Sequence, residues 1–389
     1  MEKSTNKRMY LDYNATSPLA NSVVELMVKG DFPFGNPSSL HSSGKLAYSY
    51  LRKAEQGILK LFSLSDEHAV LFHSGATEGI NTFIKGCADT IEQGNNHLHF
   101  IAAATDHPAV YSMRDVLRDS GHHVHTISIN QLGHFNFAEL TSLLEAVAPA
   151  PVLLNYTWVN NETGVVNHLA NLDTLKERFP NLVIHVDGVQ APGKIRDWDR
   201  FPLSVDVFTF SGHKFGALKG TGFSIYKKSL RFSPLLHGGG QQLGMRSGTI
   251  NVLGAYAQYL ALEELKIRFN SDKAEEAILA LRLGIKKFLG NRGHLIADGG
   301  DLALNILSFI VYGKRSDILL AACDMAGLEV SAGSACSAGA ILPNRVLMAH
   351  GISADDSQSY LRLSFAPDLD IHYALEVKAR LEKVLSRFL

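Results

Sequence analysis

Cysteine is scarce in this chain: Cys87, Cys323 and Cys336 are the only three in 389 residues. They are too few and too scattered for a disulfide framework, and no pair has the spacing of a zinc or iron–sulfur site, so no metal is expected. A reduced, cytoplasmic setting fits that usage. An excess of one charge is also missing. Thirty-seven basic residues face 38 acidic ones, for a net charge of −1, so neither a basic nucleic-acid face nor an acidic tail is expected. No uninterrupted apolar run approaches the ~20 residues that span a bilayer. The stretch MEKSTNKRMYLDYNAT at 1–16 lacks an apolar core, so no signal peptide is expected. Internal repeats and low-complexity tracts are absent.

What is present is a large supply of core. Apolar residues make up 46% of the chain and charged residues 19%, and the length suggests two or three domains' worth of chain. Apolar or β-rich runs fall at 69–73, 97–105, 123–129, 152–159, 182–187, 205–210 and 222–227. Helical patterns lie between several of them, at 77–90, 108–120, 137–147 and 169–179. This alternation predicts an α/β fold with a large, mostly parallel sheet covered on both faces. Past residue 250 the pattern changes to a long helical stretch over roughly 250–290. Runs at 303–311 and 360–365 follow, with helices near 315–327, 343–350 and 370–388. We expect an N-terminal segment at 1–16, a large α/β domain at 17–260 and a smaller α+β domain at 261–389.

In an open α/β sheet, ligands bind beyond the carboxyl ends of the strands. Five predicted strand ends carry chemistry there. Ser74-Gly75-Ala76-Thr77-Glu78 opens a helix and suits a phosphate, or is a plain helix cap. It lacks a Walker lysine and the full GxGxxG pattern, which supports neither an NTPase nor a dinucleotide site. Asp106 and His107 follow the next run. An imidazole there is either a turn residue or a group that stacks on a heteroaromatic ring and moves protons. Asn160, Asn161 and Glu162 follow another. Asp187 ends LVIHVD, with Gln190 three residues on. It either caps a helix or pairs with a buried cation such as a pyridinium nitrogen. Ser211-Gly212-His213-Lys214 follows VDVFTF, where a solvated lysine is less expected than an amine poised to form a Schiff base.

Three further segments carry candidates. The stretch from His237 to Thr249 is rich in glycine and includes Arg246. It is a flexible loop or a backbone that approaches a ligand or a second subunit. Cys336 sits among small residues in VSAGSACSAGA, as a passive thiol or as an accessible nucleophile. Cys87 and Cys323 lie in helical apolar patterns and read as core. Arg362 faces solvent from a strand or clamps a carboxylate.

Together these motifs resemble the cysteine desulfurases similar to NifS and IscS, within the class V aminotransferase family of fold type I. GNPSSLH (35–41), SGATEGIN (74–81), NNETG (160–164), DGVQ (187–190), SGHK (211–214), GGGQ…RSGT (238–249) and SAGSACSAG (331–339) occur in the family's order. The resemblance implies pyridoxal 5'-phosphate as cofactor, anchored by Lys214. Asp187 would face the ring nitrogen, Gln190 the ring hydroxyl and His107 the ring face. Ala76, Thr77, Ser211 and His213 would hold the phosphate, and Thr249 would reach the phosphate of a neighbouring subunit, implying a homodimer. Asn161 and Arg362 would bind the carboxylate of substrate L-cysteine, and Asn36 and His41 would lie at the substrate entrance. Cys336 would carry the persulfide to an iron–sulfur scaffold or a tRNA thiolation protein. The length from Cys336 to Pro343 resembles the NifS/IscS-like group rather than the SufS-like one. Departures are Asp106 where Glu is usual, Gly188 for Ala, and Gln242-Leu243 for a frequent Glu-Arg pair. The last leaves Arg246 with one carboxylate partner fewer. Rival readings are a selenocysteine lyase, a cysteine sulfinate-processing enzyme, an aminotransferase, or a scaffold without activity.

Overall fold

A computed structural model describes residues 8–333 and 343–389. A short strand β1 (Met9–Tyr10) leads to helices α1 (Asn21–Lys29) and α2 (Ser42–Leu61). Strands and helices then alternate: β2 (His68–His73), α3 (Ala76–Gln93), β3 (His99–Ala103), α4 (Pro108–Tyr111), α5 (Met113–Asp119), β4 (His123–Ile127), α6 (Phe137–Val147), β5 (Val152–Thr157), α7 (Asn171–Arg178), β6 (Leu182–Asp187), β7 (Val207–Ser211) and β8 (Gly222–Lys227). The rest comprises α8 (Val252–Arg268), α9 (Ser271–Leu289), β9 (Gly293–Leu295), β10 (Ile306–Val311), α10 (Ser316–Met325), β11 (Leu328–Glu329), α11 (Arg345–Ala349), β12 (Tyr360–Ser364) and α12 (Ile371–Leu385).

The seven central strands lie in the order β2-β8-β7-β6-β5-β3-β4. All neighbours from β4 to β7 pair parallel, and β8 runs antiparallel to both β7 and β2. The link from β7 to β8 is too short for the dozen or more residues a parallel crossover needs, which explains the reversal. Because β8 opposes both neighbours, β2 again runs with the parallel set. Its carboxyl end therefore lies on the same side as those of β3, β5, β6 and β7, the side where α/β sheets bind ligands.

Helix α2 was not legible as a core helix among its polar residues. Its spacing nonetheless buries Ala47, Leu51, Ala54, Ile58 and Leu61 on one face. The predicted helix over 250–290 is two helices. Asn270 divides them by accepting a hydrogen bond from Lys273 N–H at 3.1 Å, a cap that starts α9. Strands β12, β10 and β9 form an antiparallel sheet, packed by α9 and α12 through Ile278, Leu281, Leu361, Leu363, Val377 and Leu381. Strand β1 pairs in parallel with β11 and ties the start of the described chain to this smaller part.

Candidate active site

The strand ends meet at a cavity of about 610 Å³ whose wall includes Gly75, Ala76, Thr77, His107, Asn161, Asp187, Gln190, Ser211, His213 and Lys214. Lys214 follows β7 on a single helical turn, Gly212–Lys214. Its Nζ donates to the carbonyls of Asn14 at 2.7 Å and Ala15 at 2.8 Å. Burial, and then the guanidinium of Arg362, lower its pKa to about 8. An amine so tuned is partly neutral near pH 7 and competent to attack a carbonyl carbon.

Asp187 ends β6 and is buried. One oxygen accepts from Val189 N–H at 3.1 Å, and among the described residues no hydrogen bond reaches the other. Burial pushes its pKa up to about 6. A buried carboxylate with an unspent oxygen in a cavity wall is matched by a cationic ring nitrogen. Gln190 is oriented from both ends: its Nε2 donates to Asn14 O at 3.0 Å, and its Oε1 accepts from buried Lys194. Burial, then the charges of Lys214 and Arg362, push the Lys194 pKa far down.

His107 lines the cavity and its side chain is exposed to it. Its Nδ1 accepts from Ala109 N–H at 3.1 Å, which leaves the proton of the neutral ring on Nε2. Burial, then Lys214 and Arg345, lower its pKa to about 4. The turn before it is fixed by Asp106. That carboxylate accepts from Thr157 Oγ1 at 2.7 Å, Asn155 Nδ2 at 3.0 Å and Ala103 N–H at 2.9 Å. From Asn155 a buried chain of hydrogen bonds crosses the sheet through His185, Thr209 and Ser224 to His73, with steps of 2.8–3.0 Å. It joins the turn before His107 to the strand before Ser74. The shorter Asp side chain thus keeps a full set of donors where the family usually has Glu.

At the other end, helix α3 begins at Ala76, and Gly75 supplies no side-chain cap. The first-turn N–H groups, with Ser211 and His213, suit a phosphate. His213 Nδ1 lies 3.2 Å from Thr16 Oγ1, so Thr16 belongs to this corner. Gly79 lets α3 approach β2 closely; a Cβ there would lie 2.4 Å from His73 Nε2. Glu78 accepts from Arg246 Nε at 2.8 Å and from Ser74 N–H at 2.8 Å. Burial opposes its charge, but these bonds hold its pKa at about 2. Arg246 therefore has a carboxylate partner without the missing Glu-Arg pair. Gln242 does separate work: its amide accepts from Phe72 N–H at 2.7 Å and donates to Phe72 O at 2.9 Å, pinning the glycine-rich loop to the edge strand β2.

Not all sequence candidates line this cavity. Arg362 is buried, donating to Asn161 O and Asp12 Oδ1 at 2.8 Å each, with its Nε buried and unpartnered among the described residues. Asn36 and His41 are exposed before α2, where Asn36 Oδ1 accepts from Ser38 N–H and His41 Nδ1 from Gly44 N–H. Thr249 is exposed beside the glycine-rich loop. Cys336 lies outside the described residues, while Cys87 and Cys323 are buried and free. Sequence reasoning missed Thr16, Asp12, Lys194 and Arg345. The first two sit in YLDYNAT, a polar stretch that offered a signal; the others had none.

The class-V aminotransferase family model matches residues 9–371. A cysteine desulfurase of Cereibacter sphaeroides is 32% identical over 92% of this chain and 91% of its own length. The cysteine desulfurase NifS of Azotobacter vinelandii is 30% identical over 92% and 88%. Among solved structures, a NifS-like protein superposes with a TM-score of 0.84 at 29% identity, covering 98% of this chain and all of that one.

Proposed function

The chain belongs to the class-V aminotransferase family, and from that premise we propose the reading its site supports best. It is a pyridoxal-phosphate-dependent cysteine desulfurase, converting L-cysteine to L-alanine and an enzyme-bound persulfide. The observation that carries this is one cavity wall holding a pKa-lowered lysine, a buried carboxylate with an unspent oxygen, a neutral imidazole and an uncapped helix start.

Lys214 would anchor the cofactor, Asp187 would pair with its ring nitrogen, Gln190 would bond its ring hydroxyl and His107 would face the ring. Ala76, Thr77, Ser211 and His213 would bind the phosphate. When bound, the cofactor supplies an electron sink for charge developing at the substrate carbons. Lys214 would take the proton from the substrate Cα and return one during formation of alanine. Asn161 and Arg362 hold the substrate carboxylate; Arg362 exchanges its Asn161 contact for the ligand and keeps Asp12. Asn36 and His41 belong to the substrate entrance. The Cys336 thiolate attacks the substrate sulfur. An S–S bond would form as the C–S bond breaks, and the electron pair left on the substrate carbon would take up a proton on the way to alanine.

In the division we propose, residues 17–260 bind the cofactor and residues 261–389 carry Cys336, with 1–16 as an N-terminal segment. Exposed Phe34, Leu40 and Leu243, with Thr249 exposed and not part of the wall of its own cavity, support a homodimer in which Thr249 serves the partner's phosphate. Two buried free thiols support a reduced cytoplasmic setting. Iron–sulfur scaffolds or tRNA thiolation proteins are the proposed acceptors.

The test is the absorbance spectrum before and after L-cysteine, with alanine and sulfide assayed in the same tube. A visible band that shifts with cysteine, plus equal alanine and sulfide, is expected. No band after added pyridoxal phosphate would overturn the reading. In Cys336→Ala the band should persist while turnover disappears.

A further inference from the structure

We propose that Arg345, in the smaller part of the molecule, is the positioning residue for His107: its guanidinium grips the turn that carries the imidazole and fixes its orientation in the cavity. The inference rests on the reading of His107 given above.

Residues Ala104 to Asp106 connect β3 to His107 and α4. Arg345 Nη1 donates to the carbonyl of Ala104 and Nη2 to the carbonyl of Asp106. A guanidinium holds two N–H donors in one plane and can engage both carbonyls at once, which an ammonium cannot do with fixed geometry. The same guanidinium carbon lies 4.0 Å from the centre of the Tyr111 ring. Tyr111 stands four residues beyond His107, one helical turn along α4. Arg345 therefore holds the chain immediately before His107 by its carbonyls and immediately after it by a cation–π contact. The guanidinium carbon of Arg114 lies 4.7 Å from the centre of the same ring.

The clamp itself is anchored. Asn344, the preceding residue, caps α11 by accepting from Val346 N–H at 2.9 Å and Leu347 N–H at 3.2 Å, and its Nδ2 donates to Glu162. Adjacent residues thus dock on two strand-end turns of the cavity, those following β3 and β5. Arg345 also adds positive charge near His107. The charges acting on the imidazole are those of Lys214 after β7 and Arg345 on α11, while Asp187 lines the same cavity, Asp106 precedes the imidazole in the turn, and Arg114 on α5 lies against Tyr111. Burial is the larger influence on His107 and Arg345 a smaller one, so the charge assists what the geometry sets.

The test compares holoenzyme with R345M, R345K and Y111L. It reads kcat and KM for alanine formation, the spectrum of the bound cofactor, and the titration of His107 by ring-nitrogen NMR, assigned with H107Q. Melting temperatures identify variants that remain folded. R345M should lower kcat by about tenfold with little change in KM, since sub-ångström misplacement acts on the reacting geometry. It should also move the His107 titration to higher pH. R345K should keep that titration near wild type yet leave kcat low, and Y111L should fall between. R345M with wild-type kcat and an unmoved His107 titration would overturn the proposal. So would full rescue of kcat by R345K, which would leave charge as the only contribution. If wild-type protein makes no alanine from cysteine, the functional reading falls, while the His107 titration in R345M still judges the clamp.

Discussion

Lys214 shows how one side chain acquires chemistry from its place. Following an apolar strand, it is half-enclosed, and burial, then Arg362, bring its pKa to about 8. The neutral amine is the species that attacks an aldehyde, so cofactor uptake by apo protein should quicken as pH rises and level off above about 8. Stopped-flow absorbance between pH 6 and 10 measures this; a rate still climbing past pH 10 would mean an unperturbed lysine. Asp187 carries the opposite strain. Its folded pKa of about 6 exceeds the ordinary 3.8. The sign follows: the native state prefers the protonated acid, so this group stabilises apo protein at low pH and that stability is lost as pH rises from about 4 through 6. The loss amounts to about 3 kcal/mol at pH 7. Apo Asp187→Asn should therefore melt higher than apo wild type at pH 7 and not at pH 4, while holding the cofactor's electron sink poorly. Equal melting at both pH values would remove the cavity-strain argument.

At the scale of elements, the sequence was informative where chemistry follows a single run. An apolar strand that stops at Asp187 or at Ser211-Gly212-His213-Lys214 announces both the strand and its loaded end, because burial and the ligand side are set by one sheet geometry. It was silent where partners lie far apart along the chain. Arg345 and Asp106 are separated by 239 residues, and Gln242 and Phe72 by 170, and no spacing rule reaches across such distances. The short strands β1 and β11 were missed for the same reason, since two residues of pattern carry no period. Gln242 illustrates the consequence. Its amide imitates the neighbouring strand that β2 lacks on its outer side, satisfying both backbone groups of Phe72. Gln242→Ala should cost about 1–2 kcal/mol for two lost hydrogen bonds at a half-exposed site. It should also speed hydrogen exchange at the Phe72 amide. Unchanged exchange there would show that the loop does not guard the edge.

For the whole molecule, the question is where each cavity is completed. Within one chain the cavity wall has the start of α3, Ser211, His213 and Thr16, while Thr249 lies outside it on an exposed loop. That loop is nevertheless held firmly, by Arg246 on Glu78 and by Gln242 on β2. A rigid, exposed, glycine-rich loop beside exposed Leu243 suits a face that meets its own copy, and a two-fold pairing would send each Thr249 into the other cavity. The arrangement predicts complementation. On the proposed roles, Lys214→Ala would lose the cofactor's anchor, and Thr249→Ala would bind its phosphate weakly in the neighbour's site. When the two variants are mixed and allowed to exchange subunits, one cavity of each hybrid contains intact Lys214 from one chain and intact Thr249 from the other. Cofactor occupancy at limiting pyridoxal phosphate, and alanine formation, should then exceed the average of the two pure variants. If Thr249 serves its own chain instead, every hybrid cavity keeps a defect and mixing yields only that average. Sedimentation of the mixture must show dimers in either case; a monomer with full activity would refute the shared site.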